Sequence, residues 1–476
     1  MRFLAVLVTT AIIPLLTPCS ARAASPAPPI DAALRTKIDA DVRALLSATH
    51  TQATTIAVVE GGKIVYIRGY GLRDVAKALP ADARTHYEIG SITKQFTAAA
   101  ILQLKEAGKI DLDASLARYL PKVPHANDVT IRQLLTHTSG IADFVDAPDF
   151  DDVAGTPITF DQLIARVADK PLAFKPGTRW AYSSTNFLIL GHVIEVVSGL
   201  TWEDYVKQHI FGPAGMRDSA TIALEADLAD MARGYEYANG QTTLSKPLAE
   251  SWASSAGGIV TTAVDLAKWN EALSSGRIIS AADYQTLTTP QRLADGSSSE
   301  YGFGMYVDTF EGQPRIWHNG NTIGFDGSNQ FFPSQGVRII ALTNAADGGS
   351  DQIVAHIYND LFPAIAAAAI GPVPGEDPAF TARIKAFFGS LLTGHIDRSQ
   401  MTDAYSGKFT DQTVKRAGSE LASLGDPTWV YRGKVDDPAG LKYTYYLQYP
   451  TIMLRLTAQV DVATNRFSSM RIEPQK

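Results

Sequence analysis

Cysteine is almost missing from this 476-residue chain, which has one, Cys19. A single thiol excludes a disulfide framework and any cysteine-based zinc or iron–sulfur site. Charge is sparse too: 19% of residues are charged, 42 basic against 49 acidic, for a formal net charge of −7 and no basic run. A mildly acidic chain of this kind lacks the electrostatic footprint of a nucleic-acid binder. The nine histidines include no His-Glu-x-x-His and no close pair, so no metal is expected. A phosphate-binding loop, a dinucleotide fingerprint and the Gly-x-Ser-x-Gly elbow of α/β-hydrolases are missing as well, so no cofactor is expected. The absence of a fixed-period repeat argues against solenoids and propellers.

What is present is core-forming material, 45% of the chain. That is enough for a sizeable core, and the length suggests one large or two to three ordinary domains. The first 23 residues read as a secretory signal. Arg2 gives a positive start, Phe3 to Leu16 form an apolar stretch too short to span a bilayer with ease, and Ala21-Arg22-Ala23 is a small-residue cleavage site. The expected product is a periplasmic or secreted protein without a membrane span. Leu16-Thr17-Pro18-Cys19 resembles a lipoprotein cleavage box, but the proline before the cysteine fits it poorly. A second shift in composition, at 364–378 (AIAAAAIGPVPGEDP), reads as a linker. It separates a main domain, 31–363, from a C-terminal domain, 379–476.

In the main domain, Leu34, Ile38, Val42, Leu45 and Leu46 recur at helical spacing. Thr54–Glu60, Gly61-Gly62 and Lys63–Arg68 predict a hairpin. Ile92 to Ala107 predicts a strong helix closed by Gly108. Helical patches follow at 130–136, 159–168, 186–198 and 260–274, then strand-like runs at 301–308, 314–318, 328–332 and 337–343, and a last helix at 351–362. Strands at both ends with helices between predict an α+β fold: one antiparallel sheet built from the two ends, and a separate helical lobe. A site belongs in the cleft between them. The C-terminal domain opens with helical patterns at 379–392 and 411–424 and continues with strand-like runs at 429–435, 441–449, 452–462 and 466–472. Helices followed by a meander predict a small α+β unit whose aromatics pack a sheet on a helix rather than line a ligand pocket.

Ser91-Ile92-Thr93-Lys94, at the start of the strongest helix, is the only Ser-x-x-Lys in the chain. Positions i and i+3 share a helix face, so the hydroxyl and the amine point the same way. A serine needs a base or an electrostatic push to become a nucleophile. A nearby ammonium favours loss of its proton, and a partly desolvated lysine can accept that proton itself. The plain alternative is a helix N-cap beside a solvated lysine.

Further motifs lift Ser91 above that alternative. Tyr87 to Thr97 (YEIGSITKQFT) is followed by Thr130 to Gly140 (TIRQLLTHTSG), by Phe174-Lys175-Pro176-Gly177 through Tyr182-Ser183-Ser184-Thr185-Asn186-Phe187, by Gly212 to Met216 (GPAGM), by Ser255-Ala256-Gly257-Gly258 and by Trp317-His318-Asn319-Gly320-Asn321. In this order they resemble the serine β-lactamase and penicillin-binding protein superfamily, especially its class C-like branch, over about residues 50–362.

The resemblance implies a nucleophile, Ser91, with Lys94 and Tyr182 sharing the proton work, Tyr182 as a phenolate favoured by the ammonium. His318 stands where the family has lysine or histidine and is expected to be a hydrogen-bonding or switchable positive group. Gly320 lets the backbone approach the substrate. The backbone N–H groups of Ser91 and Asn321 would form the oxyanion hole. One position departs: Ser184 stands where the family usually has asparagine, with Asn186 two further on, which puts β-lactam or peptide turnover in doubt more than acylation. His137 reads as part of a structural turn. The function implied is an exported serine hydrolase acting through an acyl-enzyme on an ester, a D-amino-acid peptide or a β-lactam. The alternative is a non-catalytic module binding cell-wall peptide or an acyl ligand. A small-molecule or peptide acyl substrate is the expected partner.

Overall fold

A computed structural model of the chain describes residues 28–246, 248–437, 440–449 and 452–474. The expected export signal, residues 1–23 with Cys19, lies outside them. The chain divides into two compact units, residues 1–361 and 362–476.

The first unit is built on one antiparallel sheet. Its strands are β1 (Ala53–Glu60), β2 (Lys63–Asp74), β3 (Leu79–Pro80), β4 (Tyr306–Phe310), β5 (Gln313–Thr322), β6 (Phe325–Phe332) and β7 (Val337–Thr343), in spatial order β3-β2-β1-β7-β6-β5-β4. The two ends of the unit meet where β1 pairs with β7, Ala57 opposite Ile340. β1 is buried along nearly its whole length because both faces of the sheet are covered. Ala57, Val59, Ile340 and Leu342 join the core of the helical lobe. On β6, Phe332 lies 4.1 Å, ring to ring, from Tyr358 of the helix Ser350–Leu361. Helix α1 (Ala32–Ala48) begins at Asp31, whose carboxylate accepts from the Leu34 N–H.

The nucleophile segment enters the lobe through a 3₁₀ turn, Gly90–Thr93, which runs into helix α2 (Lys94–Glu106). Ten of the thirteen residues of α2 are buried, so it is the axis of the lobe. Helix α3 (Ser184–Ser198) lies beside it and ends at Gly199, φ +78°, a left-handed cap that glycine accommodates without a Cβ clash.

Two expected elements differ. The strand expected from residue 301 begins only at Tyr306, because Gly304 adopts φ +71° and a Cβ there would stand 2.6 Å from the Lys94 carbonyl. Chain passing that close over α2 cannot run on as a ladder strand. The helix expected over 260–274 begins at Ala263, where Thr262 accepts from the Asp265 N–H, and Ile259–Thr261 form a short strand instead. Three β-branched residues in a row favour that strand.

In the second unit, helices α4 (Pro378–Leu392) and α5 (Asp411–Ala422) accompany a meander of β8 (Thr428–Asp437), β9 (Gly440–Gln448), β10 (Met453–Asp461) and β11 (Arg466–Pro474) in that order. The start of the stretch read from composition as a linker, 364–378, is helical, within the helix Pro363–Ile370. Among the described residues no single helix is long and apolar enough to cross a membrane.

Candidate active site

Gly90 and Gly320 set the site's framework. Gly90 has φ +49°, and a Cβ there would lie 2.6 Å from the Asn321 nitrogen. A Cβ on Gly320 would lie 1.9 Å from the Ile89 carbonyl oxygen and 2.8 Å from the Ser91 nitrogen. Strand β5 therefore lies directly on the nucleophile turn, and two missing side chains make that contact sterically allowed. The backbone nitrogens of Ser91 and Asn321 are brought to the same place by this packing. On its other side the turn is held by the Ile89 N–H, which donates to the Ile259 carbonyl at 3.0 Å.

Ser91 is half-buried, while Lys94 is fully buried. The Lys94 Nζ donates to Ser91 Oγ at 2.9 Å and to the Ala256 carbonyl at 2.8 Å. That carbonyl belongs to a helix, Glu250–Gly257, interrupted at Ser254 (φ 25°, ψ −125°). Carbonyls at a helix end need outside donors; here Lys94 serves Ala256 and the Thr97 hydroxyl serves Ser255, at 2.7 Å. Burial lowers the Lys94 amine from 10.5 to about 7, against the opposing pull of the Asp143 charge. A substantial share of it is thus a neutral base near pH 7.

Tyr182 faces the same amine, with Lys94 Nζ 4.9 Å from its ring centroid. Its hydroxyl is buried and has no well-aligned hydrogen bond among the described residues, although Ser91 lies near enough to draw its pKa downward. Burial dominates and holds the phenol well above 10. The phenolate expected from the neighbouring ammonium is therefore corrected: the resting group is a neutral phenol, because desolvation outweighs the nearby charge.

His318, on β5, is buried, and burial together with the Lys94 charge pushes its pKa down to about 3. The expectation of a switchable positive group is corrected accordingly; the ring is a neutral hydrogen-bonding group. Its Nδ1 contacts the Asn319 carbonyl and its Nε2 lies 3.0 Å from the Tyr301 hydroxyl. A carbonyl can only accept, so Nδ1 carries the proton and Nε2 accepts from Tyr301.

Two motifs interlock beneath Tyr182. His137 adopts φ +55° just past the helix Ile131–Leu135, a position where glycine is favoured. Its Nδ1 accepts from the Ser183 N–H and meets Asn186 Nδ2, both at 3.2 Å, while Ser139 Oγ donates to Asn186 Oδ1 at 2.8 Å. The imidazole also sits 4.3 Å, ring to ring, from Tyr182. The histidine thus supports the tyrosine from below.

Ser184, at the usual asparagine position, contributes its backbone: the N–H donates to Asp143 Oδ2 at 2.8 Å. Asp143 is the acidic group that acts on Lys94, and burial raises its own pKa. Asn321 is exposed, and its side chain bonds the Ala346 carbonyl.

A buried neutral amine on a serine hydroxyl, a phenol beside both, and two converging backbone nitrogens can support acyl transfer. A beta-lactamase family model matches residues 38–362. The chain belongs to the beta-lactamase family. It is 33% identical over 309 residues to a Bacillus subtilis (strain 168) protein named as a penicillin-binding protein, PbpX, covering 64% of this chain and 74% of that one. It is 26% identical over 332 residues to protein flp of Staphylococcus aureus (strain MW2), covering 68% of this chain and 66% of that one. The chain thus spans about two thirds to three quarters of these relatives. Among solved structures, a penicillin-binding protein from Bacillus halodurans is similar with TM-score 0.59 and 29% identity, over 67% of this chain and 98% of that one. A D-stereospecific amidohydrolase from Streptomyces sp. is similar with TM-score 0.60 and 26% identity, over 69% and 98%.

Within this beta-lactamase fold the geometry brings Ser91, Lys94, Tyr182, His318, Gly320 and the Asn321 backbone together. Ser184 joins them through its backbone, with no side-chain hydrogen bond among the described residues. Sequence reasoning missed Asp143 and Tyr301. Asp143 carries one local signal, a carboxylate capping the 3₁₀ turn Phe144–Asp146 three residues after Gly140. Tyr301 carries none, since its role depends on the approach of β5.

Proposed function

We propose that this chain is an exported serine hydrolase that works through an acyl-enzyme on an ester, a D-amino-acid peptide or amide, or a β-lactam. The observation carrying this reading is the fully buried Lys94 amine, 2.9 Å from Ser91 Oγ and with its pKa brought to about 7. Neutral Lys94 takes the Ser91 proton as Oγ attacks the substrate carbonyl. The oxyanion that forms is placed against the Ser91 and Asn321 N–H groups. As the tetrahedral intermediate collapses, Tyr182 donates its phenolic proton to the leaving group and is reprotonated from Lys94. A neutral donor suits that step, which fits a phenol held above its usual range. Water then attacks the Ser91 ester by the same path in reverse. The D-stereospecific amidohydrolase among the relatives supports a D-configured acyl group as one substrate class, and the apolar stretch and cleavage site in residues 1–23 support export.

A fluorophosphonate and a penicillin-type probe should each add one adduct to the wild-type chain, mapped by mass spectrometry to Ser91. An activated ester should give a burst of product. Ser91→Ala should lose labelling and burst together. Retention of either in Ser91→Ala, or reversible ligand binding without any adduct on the wild type, would establish the non-catalytic alternative or another nucleophile.

A further inference from the structure

The second unit contains a cavity of about 580 Å³ between α5, α4 and the sheet face formed by β10 and β11. Its walls include Phe387, Val414, Leu421, Leu454, Met470 and Ile472. The sheet's aromatics pack on α4 as expected, Phe380 stacking on Tyr443 at 3.7 Å, ring to ring; the cavity lies beside that core and is lined mainly by aliphatic side chains. Ordinary ligand sites enclose about 300–1,000 Å³.

The space is held open by the backbone. A Cβ on Gly418 would lie 2.1 Å from the Leu391 carbonyl oxygen, so α5 abuts the end of α4 and is fixed there. The loop before α5 is tied by Arg398, which donates to the Ser406 and Phe409 carbonyls at 2.9 and 3.1 Å. Thr410 and Thr413 then cap the helix reciprocally. With its start and its middle anchored, α5 cannot settle onto the sheet.

Among the described residues, no buried side-chain polar atom of the wall lacks a hydrogen-bond partner. The Tyr405 hydroxyl, in the wall, accepts from the Met470 N–H at 2.7 Å and donates to the Met470 carbonyl at 3.0 Å. Among the described lining residues the charged ones are Arg416 and Glu420, which are solvent-exposed and 3.9 Å apart, and Glu473, which pairs with Arg455. Apolar cavities lacking polar partners do not hold ordered water and take up apolar guests. We infer that this cavity binds a single fatty acyl chain, the hydrocarbon inside and the polar head at the mouth beside Arg416 and Glu420. The lining lies wholly within the second unit, and the inference does not depend on the proposed hydrolysis.

The test uses the full chain, stripped of lipid over a hydrophobic resin, and cis-parinarate fluorescence. Saturable binding is expected, with displacement that strengthens from hexanoate to dodecanoate. Ala417→Trp, which places an indole in the cavity, should weaken binding at least tenfold, and Ser91→Ala should leave it unchanged. Photolabelling with a diazirine dodecanoate gives a readout that does not depend on a variant's folding: the label should map to residues 387–424 or 454–473. No saturable binding, affinity independent of chain length, or label confined to residues 31–361 would overturn the inference.

Discussion

Lys94→Met tests whether the buried amine is held near neutrality at the expense of stability. An amine moved from 10.5 to about 7 by folding corresponds to about 5 kcal/mol, at about 1.4 kcal/mol per tenfold. The sign follows from proton counting. The unfolded lysine keeps its proton up to pH 10.5, the folded one only up to about 7, so between these values the unfolded state holds more protons. Wild-type stability therefore climbs with pH across that window and is flat below it. Methionine does not titrate. At pH 7 the substitution removes an electrostatic penalty of about 4 kcal/mol. It also leaves the Ala256 carbonyl without its donor, a loss of about 1–3 kcal/mol that does not vary with pH. The variant should be about 1–3 kcal/mol more stable than wild type at pH 7 and equal or less stable at pH 10. Urea unfolding followed by tryptophan fluorescence reads this directly, because every tryptophan except Trp429 lies in the first unit. A stability difference that is the same at pH 7 and pH 10 would refute the account of Lys94.

Four further outcomes follow from the same geometry. For ester hydrolysis, kcat/KM should rise with pH to a plateau with an apparent pKa near 7, as Lys94 deprotonates, and show no fall below about pH 10 because the Tyr182 phenol is held higher. Asp143→Asn should move that rise to lower pH, since the charge that opposes the loss of the lysine proton is gone; an unchanged or upward shift contradicts the assignment. Gly320→Ala forces a Cβ to within 1.9 Å of the Ile89 oxygen and should lower kcat/KM by about 100-fold or more, comparable to loss of an oxyanion donor; wild-type rates would show that β5 does not shape the oxyanion site. Ser184→Asn should raise the ratio of amide to ester turnover about 5-fold, the worth of one added hydrogen bond of about 1 kcal/mol to the substrate carbonyl, and a ratio that does not move would place residue 184 outside the substrate's reach.

What could be read in the sequence was whatever local spacing controls. Ser91 and Lys94 are three residues apart on one helical face, and the alternating and helical periods of β1, β7 and α2 are written in consecutive residues. The pairing of β1 with β7 was inferable because strands at both ends of a domain have few other partners. The strand expected at residue 301 failed for a reason that lies elsewhere in the chain: Gly304 is bent by the approach of the Lys94 carbonyl.

Protonation states failed for a related reason. In the sequence, an ammonium stands beside a phenol, which taken alone implies that the phenol ionises. A histidine stands at the expected cleft, which taken alone implies that it can carry charge. Both inferences rest on neighbours alone, whereas the structure adds the loss of water, which disfavours the charged form of every group at once. Burial moves the Lys94 amine and His318 downward and Tyr182 upward. The result is a neutral phenol and a neutral imidazole around a hydroxyl, with an amine that becomes neutral as pH rises through about 7, and that combination is what proton transfer needs. A charged lysine has no lone pair to accept the serine proton, and a phenolate has no proton for the leaving group. The lobe that buries α2 on all sides is therefore part of the chemistry, because the same burial that makes Lys94 costly to the fold makes it a base.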